Sequence, residues 1–385
     1  MNDLFFSDEH IMLVEMVRDF ANNEVAPVSL ELDKKGEFPL SLVQRMAELG
    51  LMGIPVPEKY GGAGMDTVAY AAAVMEMARV DPSVAITMAA HTSLGTMPIV
   101  IAGNEEQKQK YVPQLASGAI LGAFGLTEPG AGSDAGATQT KAVKDGSDYL
   151  INGGKIFITN SGYAKIINIT ARIVEAGKDL GIGAFIVPTD TPGFRKSLPE
   201  KKMGWKASDT RQLFFEDMRV PAENMLGSPG KGFKTFLSTL TGGRISVAAL
   251  AVGTAQGAYE RALKYSTERK AFGKKIHEFQ AIAFKLADMA TEIEAAKLLT
   301  FHAAWLKDQG LNVIKEAAMA KLFASETAMR VTTEAIQVHG GYGYVKEYGV
   351  ERYFRDAKVL EIGEGTSEVQ RIVIAKAIIG ALQDI

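Results

Sequence analysis

Glu364 stands between two glycines, Gly363 and Gly365, just ahead of Thr366 and an apolar stretch that reads as a helix. A carboxylate in that position is a candidate proton acceptor. The helix N-terminus favours its anion, while an apolar pocket opposes ionisation and raises its basicity. An exposed acid at a helix start is the other reading of the same residue. Ser367 and Gln370 fit a capping box there. Arg244, after Thr241-Gly242-Gly243, reads as opening a buried helix that is apolar as far as Ala258. A cation at a helix start opposes the macrodipole, so Arg244 calls for a partner. The pair Gly340-Gly341 either ends a helix after Val338 or lets backbone approach a ligand closely. Thr127 and Thr159, taken singly, are ordinary strand-end threonines.

Composition removes several other chemistries. The chain has no cysteine, which excludes thiol nucleophiles, disulfides and thiolate metal sites. Five histidines without a paired spacing give no transition-metal site. Redox chemistry therefore requires a bound organic cofactor. Lys and Arg number 42 against 45 Asp and Glu, a balance that predicts no nucleic-acid or anionic-membrane partner. The opening residues resemble neither a transit peptide nor a secretory signal, and no apolar run is expected to span a bilayer. The expectation is a cytoplasmic globular protein. Gly130-Ala131-Gly132-Ser133-Asp134-Ala135 matches a dinucleotide fingerprint, but Gly136-Ala137-Thr138-Gln139 after it opens no helix. Without that helix N-terminus the motif is read as a glycine-permissive loop.

The elements that must position these residues fall into three zones, in an α+β chain. Residues 1–118 read as an N-terminal helical domain: Ser7 caps a helix whose Ile11, Val14, Val17 and Phe20 recur at helical spacing, and an alanine-rich helix runs through Ala78. Residues 119–230 change to a period of two. Tyr149-Leu150-Ile151 and Lys155-Ile156-Phe157-Ile158-Thr159 flank Asn152-Gly153-Gly154, read as a hairpin turn requiring positive φ, and strands at 183–187 and 213–217 follow. Strands without intervening helices predict an antiparallel β-barrel or sandwich. Residues 231–385 return to helical spacing, with stripes at Ile282, Leu286, Met289, Ile293 and at Val313, Ala317, Ala320, Ala324, Val331, Ala335, Val338, which predict a four-helix bundle.

Several segments resemble motifs of the acyl-CoA dehydrogenase family, in family order. They are Phe124-Gly125-Leu126-Thr127-Glu128-Pro129-Gly130-Ala131-Gly132-Ser133-Asp134; Phe157-Ile158-Thr159-Asn160; Glu268-Arg269-Lys270-Ala271-Phe272-Gly273; Gln337-Val338-His339-Gly340-Gly341-Tyr342-Gly343; Arg355-Asp356-Ala357-Lys358; and Glu361-Ile362-Gly363-Glu364-Gly365-Thr366-Ser367-Glu368-Val369-Gln370-Arg371. The resemblance spans nearly the whole chain. It implies FAD, and a homotetramer in which a second subunit completes each cofactor site. It implies that Thr127 and Thr159 bond the isoalloxazine, walled by Phe124, Leu126, Phe157 and Ile158. It further implies that Arg269, Phe272 and Gln280 hold the rest of the cofactor with Gln337, Gly340 and Gly341 of the neighbouring chain, and that Thr366 and Glu368 complete the site. Ser133 would serve cofactor and CoA alike, with Thr241, Arg244 and Gly365 on the substrate. Glu364 would be the base in the α,β-dehydrogenation of an acyl-CoA, with an electron-transfer flavoprotein receiving the electrons.

Some family members carry the base at the position of Gly243, which is glycine here. Gly363 stands where short- and medium-chain members usually have tyrosine, which widens the pocket. Val84-Ala85-Ile86-Thr87 lacks the arginine that clamps a distal carboxylate. The competing readings are an oxygen-using oxidase of the same fold, expected to be longer, and a non-catalytic acyl-CoA- or flavin-binding assembly protein, expected to have lost the base or the flavin contacts.

Overall fold

The computed structural model describes residues 4–383. The first three residues and the C-terminal Asp384-Ile385 lie outside the described residues. In the N-terminal zone, α1 (Asp8–Phe20) is capped by Ser7, whose hydroxyl accepts the His10 N–H while the His10 ring accepts that of Ser7. Leu13, Val14, Val17 and Phe20 form its buried face. A π-turn at Ala21–Val25 leads into α2 (Ala26–Lys35), followed by α3 (Leu40–Glu48), α4 (Thr67–Val80), α5 (Pro82–Ala90), α6 (Met97–Ala102) and α7 (Glu105–Ala116). Asp66 caps α4, and Asp81 caps α5 ahead of Pro82.

Helix gives way to strand between Ala116 and Leu121. The strands are β1 (Leu121–Gly125), β2 (Lys141–Asp145), β3 (Asp148–Thr159), β4 (Ala164–Glu175), β5 (Lys178–Pro188), β6 (Phe194–Lys196), β7 (Thr210–Pro221) and β8 (Met225–Leu226). They make one sheet in the order β6-β7-β3-β2-β4-β5-β8, with β1 beside β4. The expected antiparallel barrel is corrected on two counts. The path is open, and both β1 and β2 run parallel to β4, β1 along its first half and β2 along its second. This follows from the long 126–140 loop between β1 and β2, which lets both enter in the same direction. The expected hairpin at Asn152-Gly153-Gly154 is also absent. Those residues lie inside β3, where Gly153 (φ 141°) marks a bulge in the register with β7. The turn instead falls at Gly146 (φ 60°), which pairs Asp145 with Asp148. With β2 and β7 on its two sides, β3 stays extended through the glycines.

The C-terminal zone opens with α8 (Gly232–Glu268), 37 residues long. It starts well before Arg244, so Arg244 is mid-helix and the macrodipole argument made for it fails. Gly242 and Gly243 do not end the helix, because its neighbours hold it. Gly253 and Gly257 let α8 approach α4 so closely that a Cβ at either would overlap the carbonyl of Met75 or Arg79. A small ribbon of β9 (Lys270–Ala271) and β10 (Lys274–Lys275) precedes α9 (Gln280–Asp308), α10 (Ile314–His339), α11 (Val350–Lys358) and α12 (Ser367–Gln383). Helices α8, α9 and α10 pack on one another, and α11 and α12 both pack on α10. The expectation of no apolar run long enough to cross a membrane is corrected as well: the helical run Pro82–Ala102 and α8 are both long and apolar enough, and each is 78% buried within the protein.

Candidate active site

Glu364 lies in the turn between α11 and α12 with φ 53°, a left-handed backbone uncommon for a side-chain-bearing residue, and Gly365 follows at φ 96°. Thr366 caps α12, its Oγ1 accepting the Val369 N–H at 3.3 Å and its carbonyl that of Gln370 at 2.9 Å. The capping box expected of Ser367 and Gln370 is therefore not formed. Gln370 instead donates through Nε2 to the carbonyls of Glu364 (3.2 Å) and Gly365 (2.8 Å). Glu368 folds back on the helix start, where its own N–H and the Thr366 hydroxyl hold its carboxyl below the usual range.

The Glu364 carboxylate points at α8. A Cβ built on Gly243 would overlap its Oε2, an enclosed atom with no hydrogen-bond partner. Arg244 is buried beside it, and its Nε is likewise unpartnered. Burial lowers the Arg244 pKa and the nearby Glu364 charge opposes that shift. Lys321 of α10, fully buried, donates from Nζ to the Gly365 carbonyl at 2.8 Å. Burial pushes Glu364 up to about 7, against the pull of Lys321 and Arg244. The same burial pushes Lys321 down to about 8, with Glu364 opposing. Tyr70 of α4, bonded to the Ala89 carbonyl at 2.9 Å, lies below; burial raises its pKa and the Glu364 charge adds to the rise. Thr241 bonds back to the Leu237 carbonyl within α8.

The loops of the β domain hold the other expected residues. Phe124, at the end of β1, stacks on Phe236 of α8 at 4.1 Å, two turns before Gly243. The Thr127 carbonyl accepts the Ile156 N–H at 2.9 Å. Buried Lys155 reaches the Leu126 carbonyl (3.1 Å), Glu128 (2.7 Å) and Thr170 (3.0 Å). Glu128 in turn accepts the N–H groups of Gln139 and Thr140, closing the 128–140 loop that carries exposed Ser133. Phe157 is 64% exposed with φ 58°, and Thr159 is partly exposed. Ile158 departs from the expectation: its side chain is buried in the β-sheet core and does not wall the open face. The irregularity between Lys155 and Ile158, with Phe157 in a left-handed backbone, turns Phe157 outward and leaves Ile158 facing the core.

The remaining expected cofactor residues gather elsewhere. Arg269, Phe272, Gln337, Gly340 and Gly341 line a groove of about 770 Å³ with Tyr265 and Tyr342, and the Arg269 guanidinium lies 5.2 Å over the Tyr342 ring. Gly340 ends α10 with φ 59°, and a Cβ added at Gly340 or Gly341 would meet nothing within 4 Å. Gln280, the first residue of α9, is exposed and outside this lining. Within this chain Arg269 lines one groove together with Gln337, Gly340 and Gly341, the residues expected from its neighbour. That groove sits at the far end of α10 from Lys321, about 24 Å along the axis.

Sequence reasoning missed Lys321, Lys155 and Tyr70. A lysine beside Ala320 and a turn before Ala324, on a helix otherwise apolar on that face, is the signal that could have exposed Lys321.

Residues 7–119, 123–218 and 230–379 match the models of the N-terminal, middle and C-terminal domains of acyl-CoA dehydrogenase. The chain is 56% identical to the probable acyl-CoA dehydrogenase YngJ of Bacillus subtilis over 96% of its own length and 98% of that protein's. It superposes on butyryl-CoA dehydrogenase of Megasphaera elsdenii with a TM-score of 0.95 and 47% identity, covering 98% of this chain and 100% of that one. A chain in the structure of the electron transferring flavoprotein of Acidaminococcus fermentans gives a TM-score of 0.95 at 48% identity, covering 98% and 99%.

Proposed function

The chain belongs to the acyl-CoA dehydrogenase family, an FAD-using oxidoreductase family, and from that premise we propose that Glu364 is the base that removes the α-proton of a short acyl-CoA. The carrying observation is its carboxylate, held by a left-handed turn against Gly243 with Oε2 enclosed and unpartnered. An enclosed acceptor without a donor costs free energy unless something occupies the space before it. A C–H acid placed there meets a base whose affinity for a proton is raised by burial to about 7, suited to work near neutral pH. Arg244 and Lys321 offset the negative charge that Glu364 carries between turnovers.

The residues present fit FAD. The Arg269 fork and the open backbone of Gly340 and Gly341 suit a pyrophosphate and the groups beyond it, while Thr127, Phe157 and Thr159 are at least partly exposed on the β domain. Bound there, the flavin supplies the acceptor for the β-hydride. We assign an electron-transfer flavoprotein as the next electron acceptor, a cytoplasmic location, and a homotetramer in which the Arg269 groove of one chain serves the neighbour's site. The zones 1–118, 119–230 and 231–385 are proposed as its domains, the last built on a four-helix bundle. Gly363 supports a wide, short-chain pocket, since a Cβ there meets only the Val359 carbonyl, at an ordinary 3.4 Å.

Anaerobic addition of butyryl-CoA to the purified holoprotein tests the reading. Bleaching of the flavin absorbance is the expected result, faster with butyryl-CoA than with palmitoyl-CoA. A flavin that stays oxidised with every thioester of such a series overturns it.

A further inference from the structure

The turn that carries Glu364 is left-handed at Glu364 and Gly365, and ahead of it the Ile362 and Gly363 N–H groups bond the Val359 carbonyl. Two buried side chains from different helices hold it by its carbonyls. Gln370 of α12 bonds both Glu364 O and Gly365 O, and Lys321 of α10 bonds Gly365 O at 2.8 Å. A Cβ on Gly365 would close on the Gln370 amide at 2.7 Å, so the fit of turn to clamp leaves no slack. Lys321 is 0% exposed, and among the described residues no carboxylate bonds its ammonium directly. Burying a cation against one carbonyl is costly unless its charge is used.

We propose that Lys321 is a positioning residue of this reaction, clamping the Glu364-Gly365 turn jointly with Gln370 and setting a buried ammonium beside the base. The inference rests on Glu364 being the base. The charged and titratable groups facing Glu364 are Lys321 on α10, Arg244 on α8 and Tyr70 on α4; Glu361 and Glu368 lie within electrostatic reach of Lys321 on the other side. Of these, Lys321 opposes the effect of burial on Glu364 more than Arg244 does. Removing Lys321 therefore drives Glu364 further toward its protonated form and moves the pH dependence to the alkaline side. Removing Gln370 loosens the turn without that movement.

Three variants separate charge from clamp: Lys321→Met removes both, Lys321→Gln keeps a donor for the Gly365 carbonyl, and Gln370→Leu removes only the second anchor. Two measurements are made on the holoenzyme. One is the pH dependence of flavin reduction by butyryl-CoA. The other is the Glu364 carboxyl band in infrared spectra, titrated without substrate and identified by its loss in Glu364→Gln. Both Lys321 variants are expected to shift the carboxyl titration and the rate limb to higher pH by about one unit, the low end of what an adjacent opposite charge provides. Lys321→Met and Gln370→Leu are expected to reduce flavin about 10- to 100-fold more slowly at saturating substrate, the scale of a misplaced reacting group. Gln370→Leu should leave the titration in place, and FAD content should be unchanged in all three. A carboxyl titration unmoved in both Lys321 variants overturns the proposal. So does loss of fold or flavin in both, which would make Lys321 merely structural. Full activity in Glu364→Gln is a separate failure, of the base assignment, and leaves the infrared result readable on its own.

Discussion

At Glu364 one carboxylate is balanced between burial, which opposes its charge, and two cations, which favour it. Replacing it with glutamine keeps size and hydrogen bonding and removes the proposed base. Turnover should then fall by roughly 10²–10⁴-fold or more, the usual consequence of losing a general base. FAD content should stay normal, since no cofactor contact is assigned to this side chain; absorbance ratios and single-turnover reduction measure both. In the wild type, reduction should rise with pH through about 7 as Glu364 ionises, a limb that Glu364→Gln lacks. The sign for stability is the reverse. An acid whose pKa is raised on folding stabilises below its unfolded value and loses that contribution as pH rises through about 7. The melting temperature of Glu364→Gln should accordingly fall less between pH 6 and 8 than that of the wild type. Gly243 faces the same carboxylate, so Gly243→Glu alone would crowd it, whereas Gly243→Glu with Glu364→Gly has room and should recover part of the activity.

Among the elements, the loops proposed to face the flavin depend on a buried ion pair. Lys155 ties the Leu126 carbonyl, Glu128 and Thr170 together, and Glu128 gathers the backbone of the 128–140 loop. Lys155 is fully buried and Glu128 nearly so. Burial pushes Lys155 down to about 8, with Glu128 opposing, and the Lys155 bond and charge help hold Glu128 below its usual range despite its own burial. Removing one partner strands the other. Lys155→Met should destabilise by about 3–5 kcal/mol, the usual result of leaving a buried charge alone, and should lower FAD retention by releasing the backbone on either side of Thr127. Lys155→Met with Glu128→Gln should regain part of the loss, and denaturant unfolding of both variants measures it.

In the whole molecule, the base and the Arg269 groove lie at opposite ends of α10, about 24 Å apart along its axis. The Arg269, Gln337, Gly340 and Gly341 set belongs together. If that groove completes a neighbour's site, chains carrying Glu364→Gln and chains carrying Arg269→Ala should complement each other when co-expressed. Mixed oligomers would then contain some sites with both native residues. Activity in the mixture no higher than in either variant alone would assign groove and base to sites within one chain.

The order helix, strand, helix was written in the sequence because side-chain periodicity is a local property, and 3.6 and 2 are easily told apart over long segments. So was Glu364, through a motif whose flanking glycines permit a turn few residues adopt. Position within elements was less legible. Thr241-Gly242-Gly243 reads as a helix start, yet α8 runs through it because α4, α9 and α10 hold the backbone that glycine alone would release. Asn152-Gly153-Gly154 reads as a turn, yet pairing on both sides keeps it a bulged strand. Ile158 sits in a recognisable motif, but a break in the register with β7 decides which face it takes. Lys321 and Lys155 were invisible for a different reason. A charge is stable in a core only where distant segments supply its partners, Gly365 for Lys321 and Glu128 for Lys155, and no local pattern records which segments those will be. The chemistry was thus carried by short-range sequence, while the basicity and aim of the base were decided by helices brought together only in the folded chain.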